Sequence, residues 1–117
     1  MAQTKVQPGL LTGGFDIITA LTPAATVNID YDSAQIFTLT PTSNTVLNIT
    51  DPIIGAQKNF IITGSGNSYT ITLNVGGSAN TFNKAAGDYD DTSGKKNLYS
   101  VLCVGTNEFW YSITQPS

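Results

Sequence analysis

Histidine and arginine are absent from this 117-residue sequence, and cysteine occurs once. Without an imidazole and with a single thiol, zinc sites and the Ser-His or Cys-His arrangements of nucleophilic catalysis have neither ligands nor base. One cysteine also excludes an internal disulfide. Cys103 sits between Val101, Leu102 and Val104, which predicts an inert, buried thiol. Charge is scarce as well: five lysines and eight acids make 11% of the chain, with a net charge of -3. An ordinary globular domain carries about a quarter. The lysines form no basic stripe able to neutralise a run of phosphates, so nucleic acid is not an expected partner.

Long apolar runs are missing too. Hydrophobic residues reach 40%, but Thr, Asn and Gly break them well short of the roughly 20 apolar residues of a membrane helix. A membrane is not an expected partner. The opening MAQTKVQPGLLTGGFDIITALTP has Lys5 ahead of apolar residues, as a secretory leader would. Gly13, Gly14 and Asp16 interrupt that run, and a mature arm is the expectation.

What is present is an alternation of period two, rich in Thr, Val, Ile and aromatics, the pattern of half-buried strands. In TVNIDYD, Val27, Ile29 and Tyr31 share one face and Asn28, Asp30 and Asp32 the other. Phe37 and Leu39 oppose Thr38 and Thr40 until Pro41, which cannot donate to a ladder, ends the strand. Leu47 and Ile49 point inward, Asp51-Pro52 starts a turn, and KNFIIT follows. In SYTITLNV, Tyr69, Ile71, Leu73 and Val75 oppose Thr70, Thr72 and Asn74. Gly64-Ser65-Gly66-Asn67 has the composition of a tight hairpin. The stretch NVGGSANTFNKAAGDYDDTSGKKN has no strong strand, and no internal repeat stands out. Helix signals are absent. About seven short strands with turn residues between them predict an all-β fold, an antiparallel β-sandwich of jelly-roll-like form.

Residues 1–22 differ from the rest. Pro8-Gly9 and Gly13-Gly14 punctuate Leu10, Leu11, Phe15, Ile17 and Ile18, which suits an extended N-terminal arm lying on a neighbour. The alternative is a first strand folded onto the same domain. Residues 23–117 form the sandwich domain.

The C-terminal strands are apolar on both faces. Tyr99, Val101 and Cys103 alternate with Leu98, Leu102 and Val104, and Phe109, Tyr111 and Ile113 alternate with Trp110. A domain of this size can bury only a limited share of its surface alone. A subunit interface of Leu98, Leu102, Val104 and Trp110 is therefore expected.

Asp88, Asp90 and Asp91, within Asp88-Tyr89-Asp90-Asp91, are the carboxylate cluster. They could supply oxygens to calcium, but they lack the glutamate and spacing of the helix-loop-helix site. A solvated loop compensated by Lys95 and Lys96 is the favoured reading. No apolar flank is available to raise one carboxyl for acid-base work. The glycine pairs precede no helix and so offer no phosphate cradle. Asn48-Ile49-Thr50 matches a glycosylation acceptor, at a position where any polar residue would serve. Trp110, Tyr111, Tyr89 and Tyr99 are candidates for a sugar-stacking platform, with subunit or core contact as the commoner use of such rings. No cofactor and no catalytic residue is expected.

Thr38-Leu39-Thr40, Asn44-Thr45-Val46-Leu47-Asn48-Ile49 and Pro52 match a "TLT…NTTLNF…P" pattern. Gly105-Thr106-Asn107 with Trp110-Tyr111 matches a closing "DGTNWY" hairpin, with Glu108 and Phe109 inserted. Over residues 25–114 the chain thereby resembles a small β-domain of tailed-bacteriophage virion proteins, found in tail fibres and related appendages. It departs from that pattern after Leu73. The resemblance implies a virion location, homotrimers and host attachment, with no catalytic residues. The expected function is thus that of a non-enzymatic virion protein. A capsid decoration or cement protein, binding the major capsid protein or another virion protein at the virion surface, is the first reading. A tail-fibre or head-fibre module adhering to host glycan is the alternative.

Overall fold

The computed structural model describes residues 18–76 and 81–116. Nine strands run in chain order: β1 (Ile18–Ala20), β2 (Thr26–Asp30), β3 (Ile36–Leu39), β4 (Thr45–Thr50), β5 (Gln57–Thr63), β6 (Ile71–Val75), β7 (Thr81–Ala86), β8 (Lys96–Gly105) and β9 (Glu108–Thr114). There is no helix among the described residues. The all-β expectation therefore holds.

The pairing differs from an antiparallel jelly roll. Strands alternate between two sheets, one ordered β1-β3-β5-β8-β9-β7 and the other β2-β4-β6. Neighbours β1, β3 and β5 are parallel, as are β2, β4 and β6. Each β-corner-β unit stacks on the one before it, a β-solenoid-like arrangement. Only β5–β8 and β8–β9 are antiparallel, while β7 lies parallel to β9. The physical reason lies in the alternation itself, which reports the buried face of a strand and is blind to its partner's direction. At each corner the chain crosses to the opposite sheet rather than turning back beside itself. Gly64-Ser65-Gly66-Asn67 is accordingly a corner between β5 and β6, in different sheets, and not a hairpin.

Stacking aligns like with like. Val27, Leu47 and Leu73 are in register, and so are Ile29, Ile49 and Val75; all six are buried. Between these inward rows Asn28, Asn48 and Asn74 form an outward row. Opposite them, Phe37 stacks on Phe60 at 5.1 Å between ring centroids. On the inner side of the β8-β9-β7 portion, Phe82 lies parallel to Phe109 at 4.8 Å and Tyr99 to Tyr111 at 6.2 Å. Tyr31, fully buried, closes a corner with its one hydroxyl proton shared between the carbonyls of Ala56 (2.6 Å) and Val101 (3.1 Å). Its ring faces the Lys58 ammonium at 5.7 Å, a cation-π contact that accompanies this lysine's burial at an inward position.

Two boundaries move. Ile18–Ala20, placed in the arm by the sequence, pairs in register with Ile36–Thr38 of β3 as an edge strand. Of the other anchors expected in the arm, Leu10, Leu11, Phe15 and Ile17 lie outside the described residues. TFNKAA, read as strandless, is β7; its register shifts between Lys84 and Ala86, which breaks the alternation that would reveal it.

Candidate functional site

Strands β8 and β9 each place alternate residues on opposite faces. Tyr99, Val101, Cys103, Phe109 and Ile113 are buried, while Leu98 (39% exposed), Leu102 (37%), Val104 (43%) and Trp110 (47%) stand on the outer face of the larger sheet. The ladder puts Leu102 directly opposite Trp110. Across the other side of β8, Leu98 faces Ile61 and Leu102 faces Gln57, and Ile61 in turn faces Thr38. Asn83 continues the Leu102–Trp110 row on β7. These two rows contain no charged side chain, and charge enters at the margins through Lys96 and Glu108. Glu108 accepts from the Trp110 indole at 3.2 Å, which fixes the ring against the sheet. Ile61 belongs to this surface and escaped the sequence reading. KNFIIT gave adjacent isoleucines without saying which faced out.

Cys103 is buried, with its Sγ within 3.2 Å of the Gly105 carbonyl. Burial pushes its thiol upward, consistent with an unreactive side chain.

The acidic loop does not converge on a metal. Among the described residues no three ligating side chains come together. Asp88 pairs with Lys84, and Asp90 Oδ1 accepts from the Thr92 amide (2.9 Å) and hydroxyl (2.6 Å). These Thr92 bonds hold the Asp90 carboxyl below its ordinary range. Asp91 is a clasp. It accepts from the Ser65 amide (3.0 Å) and hydroxyl (2.6 Å), from the amides of Asn67 and Tyr69 (3.0 Å each) and from the Tyr89 hydroxyl. Partial burial pulls the Asp91 carboxyl upward, but these hydroxyl and amide donors outweigh it and hold the group well below the usual carboxylate range. Burial and the bond to Asp91 push the Tyr89 phenol up. The Asp91 lone pairs that calcium would need are taken by these protein donors.

The clasp joins the 64–69 corner to the 88–95 loop. Gly64 donates to Lys95 and accepts from Gly94, and Gly66 donates to the Asp91 carbonyl. The backbones approach so closely that a Cβ on Gly64 would sit 2.2 Å from the Thr92 carbonyl oxygen. Beneath them, fully buried Asn97 donates to the carbonyls of Ile62, Asp90 and Lys95 and accepts from the Asp90 amide and the Gln115 side chain. The two loops flank an open cleft of about 840 Å³, lined by Ser68 and Tyr69 from the corner, Asp88 to Ser93 from the loop, and Gln115. Neither Ser65 nor Gln115 carried a sequence signal for this role.

The four expected stacking rings do not share one platform. Trp110 stands on the outer face, Tyr99 is 2% exposed inside, and Tyr111 lies on the inner face over it. Adjacent residues on a strand point oppositely, so Trp110 and Tyr111 cannot serve one ligand. Tyr89 alone of the four lines the cleft. Comparison with family models, with curated proteins and with solved structures finds no match.

Proposed function

We propose that the protein is a non-enzymatic structural component of a tailed-phage virion, a decoration protein that binds the outer shell as a homotrimer. The observation that carries this reading is the pair of uncharged cross-strand rows on the outer face of the larger sheet. There Leu98, Leu102, Val104 and Trp110 stand exposed on the strands whose opposite face fills the core. Burying such a face between copies stabilises assembly by about 25 cal/mol per Å² of apolar area removed from water. The low charge of the chain suits close packing of many copies on one surface. Repetition then strengthens individually weak contacts through effective concentration. The phage assignment itself rests on the resemblance of the strand motifs between residues 25 and 114. The chain segment ahead of β1, with Leu10, Leu11, Phe15 and Ile17, is the part assigned to the shell.

Sedimentation of the purified chain tests the carrying observation. A trimer is expected, and the double variant Leu102→Asp, Trp110→Asp is expected to sediment as a folded monomer. A wild-type chain that remains monomeric at every concentration would overturn the assembly. Removing residues 1–17 while keeping β1 is expected to abolish binding to assembled shells without loss of the domain's circular dichroism; undiminished shell binding would overturn the role of the arm.

A further inference from the structure

We propose that the cleft between the 64–69 corner and the 88–93 loop is a binding site for a neutral glycan. None of its lining residues lies on the outer face, so the inference goes beyond assembly and stands or falls separately from it. The rings come first. Tyr69 from the corner and Tyr89 from the loop are half-buried and both line the cleft. The Tyr89 ring is held from both ends, its hydroxyl on Asp91 and its face tilted against Tyr99 at 6.4 Å. A ring fixed before the ligand arrives loses little entropy on binding, and sugar C–H faces pack on such rings while their hydroxyls seek polar partners.

The polar partners are arranged around them. Ser68 and Ser93 are exposed residues of the lining, and Gln115, which also lines the cleft, is anchored through its nitrogen to the Asp88 carbonyl and the Asn97 side chain. Asp90 is engaged by Thr92 through Oδ1 alone, which leaves Oδ2 to accept from vicinal hydroxyls. Charge decides the ligand class. Asp88, Asp90 and Asp91 line the cleft and no cationic residue does; Lys84 offsets Asp88 from outside the lining, and the remaining negative charge disfavours phosphate, sulfate and carboxylate sugars. Preorganisation comes from the Asp91 clasp, which fixes both walls through the backbone amides of Ser65, Asn67 and Tyr69.

The test is amide chemical-shift titration of the full chain with neutral trisaccharides of glucose, mannose, galactose and N-acetylglucosamine. Sialyllactose is the anionic comparator and tri-lysine the cationic one. At least one neutral sugar is expected to shift Tyr69, Tyr89 and Ser93, with a loss of about tenfold or more in affinity for Tyr69→Ala. Ser93→Arg, at an exposed position of the lining, is expected to weaken binding equally, and Ile54→Ala, exposed and outside both the cleft and the proposed interface, to leave it unchanged. No shift from any neutral sugar at about 10 mM, weaker than any useful affinity, would overturn the proposal. So would preference for sialyllactose, binding by tri-lysine alone, or shifts that follow Ile54.

Discussion

Asn48 donates its side-chain amide to Oδ1 of the Asn28 side chain at 3.0 Å, from one stacked unit to the next. The bond exists because parallel register places the two asparagines level, with Asn74 beyond them. It therefore reports the register itself. Asn48→Ala is expected to destabilise the protein by about 1 kcal/mol, the net worth of one side-chain hydrogen bond, measured as a lower urea midpoint with unchanged slope.

Truncation of the inward neighbour should cost more. Leu47 is completely buried between Val27 and Leu73, so Leu47→Ala removes transfer energy and leaves a cavity, about 2–5 kcal/mol. Leu102→Ala, on the outer face, is expected to change the stability of the isolated monomer by less than about 1 kcal/mol. Urea unfolding of both variants under monomeric conditions checks the difference.

Acid should loosen the clasp. The carboxyl of Asp91 is depressed in the folded protein, so its contribution is fully present above the unfolded carboxylate range, near pH 4. It is lost as pH falls through the lower folded value. Thermal midpoints recorded downward from pH 7 should hold steady and then decline below about pH 4. Asp91→Asn should be less stable at pH 7 and show a shallower decline, since its nitrogen cannot accept the donors of Ser65 and Tyr69.

Steric closure of the same region can be tested without charge. Gly64→Ala drives a Cβ against the Thr92 carbonyl oxygen, and backbone on both sides leaves little room to yield. The expected outcome is a loss of about 1–3 kcal/mol, with accelerated amide exchange at Gly66 and Gly94, whose backbone bonds join the two loops.

Much of the core was readable in advance, because burial leaves a direct imprint on alternation. Val27, Ile29, Phe37, Leu39, Leu47, Ile49, Tyr99, Val101 and Phe109 all face inward as their spacing implies. The path of the chain was not, since strand direction depends on where corners lead. A signal did exist: Val27-Asn28-Ile29, Leu47-Asn48-Ile49 and Leu73-Asn74-Val75 repeat an apolar-Asn-aliphatic triplet, and these triplets stack in register. Three short copies at unequal spacing are easily taken for ordinary strand composition. The cleft was less legible still. Its walls come from segments far apart in sequence, and Asp91 looked like solvated charge because its partners are mostly backbone amides, which every residue possesses.

The parallel course of the stacked units has a bearing on how such a molecule can change in size. A copy inserted between two others would meet the same in-register rows above and below, so height can vary while the cross-section stays constant. The reversed β8–β9 hairpin breaks that translational rule on its side of β5. It acts as a terminator, and the outward-facing leucines and tryptophan are carried on that terminator and not on the extensible part.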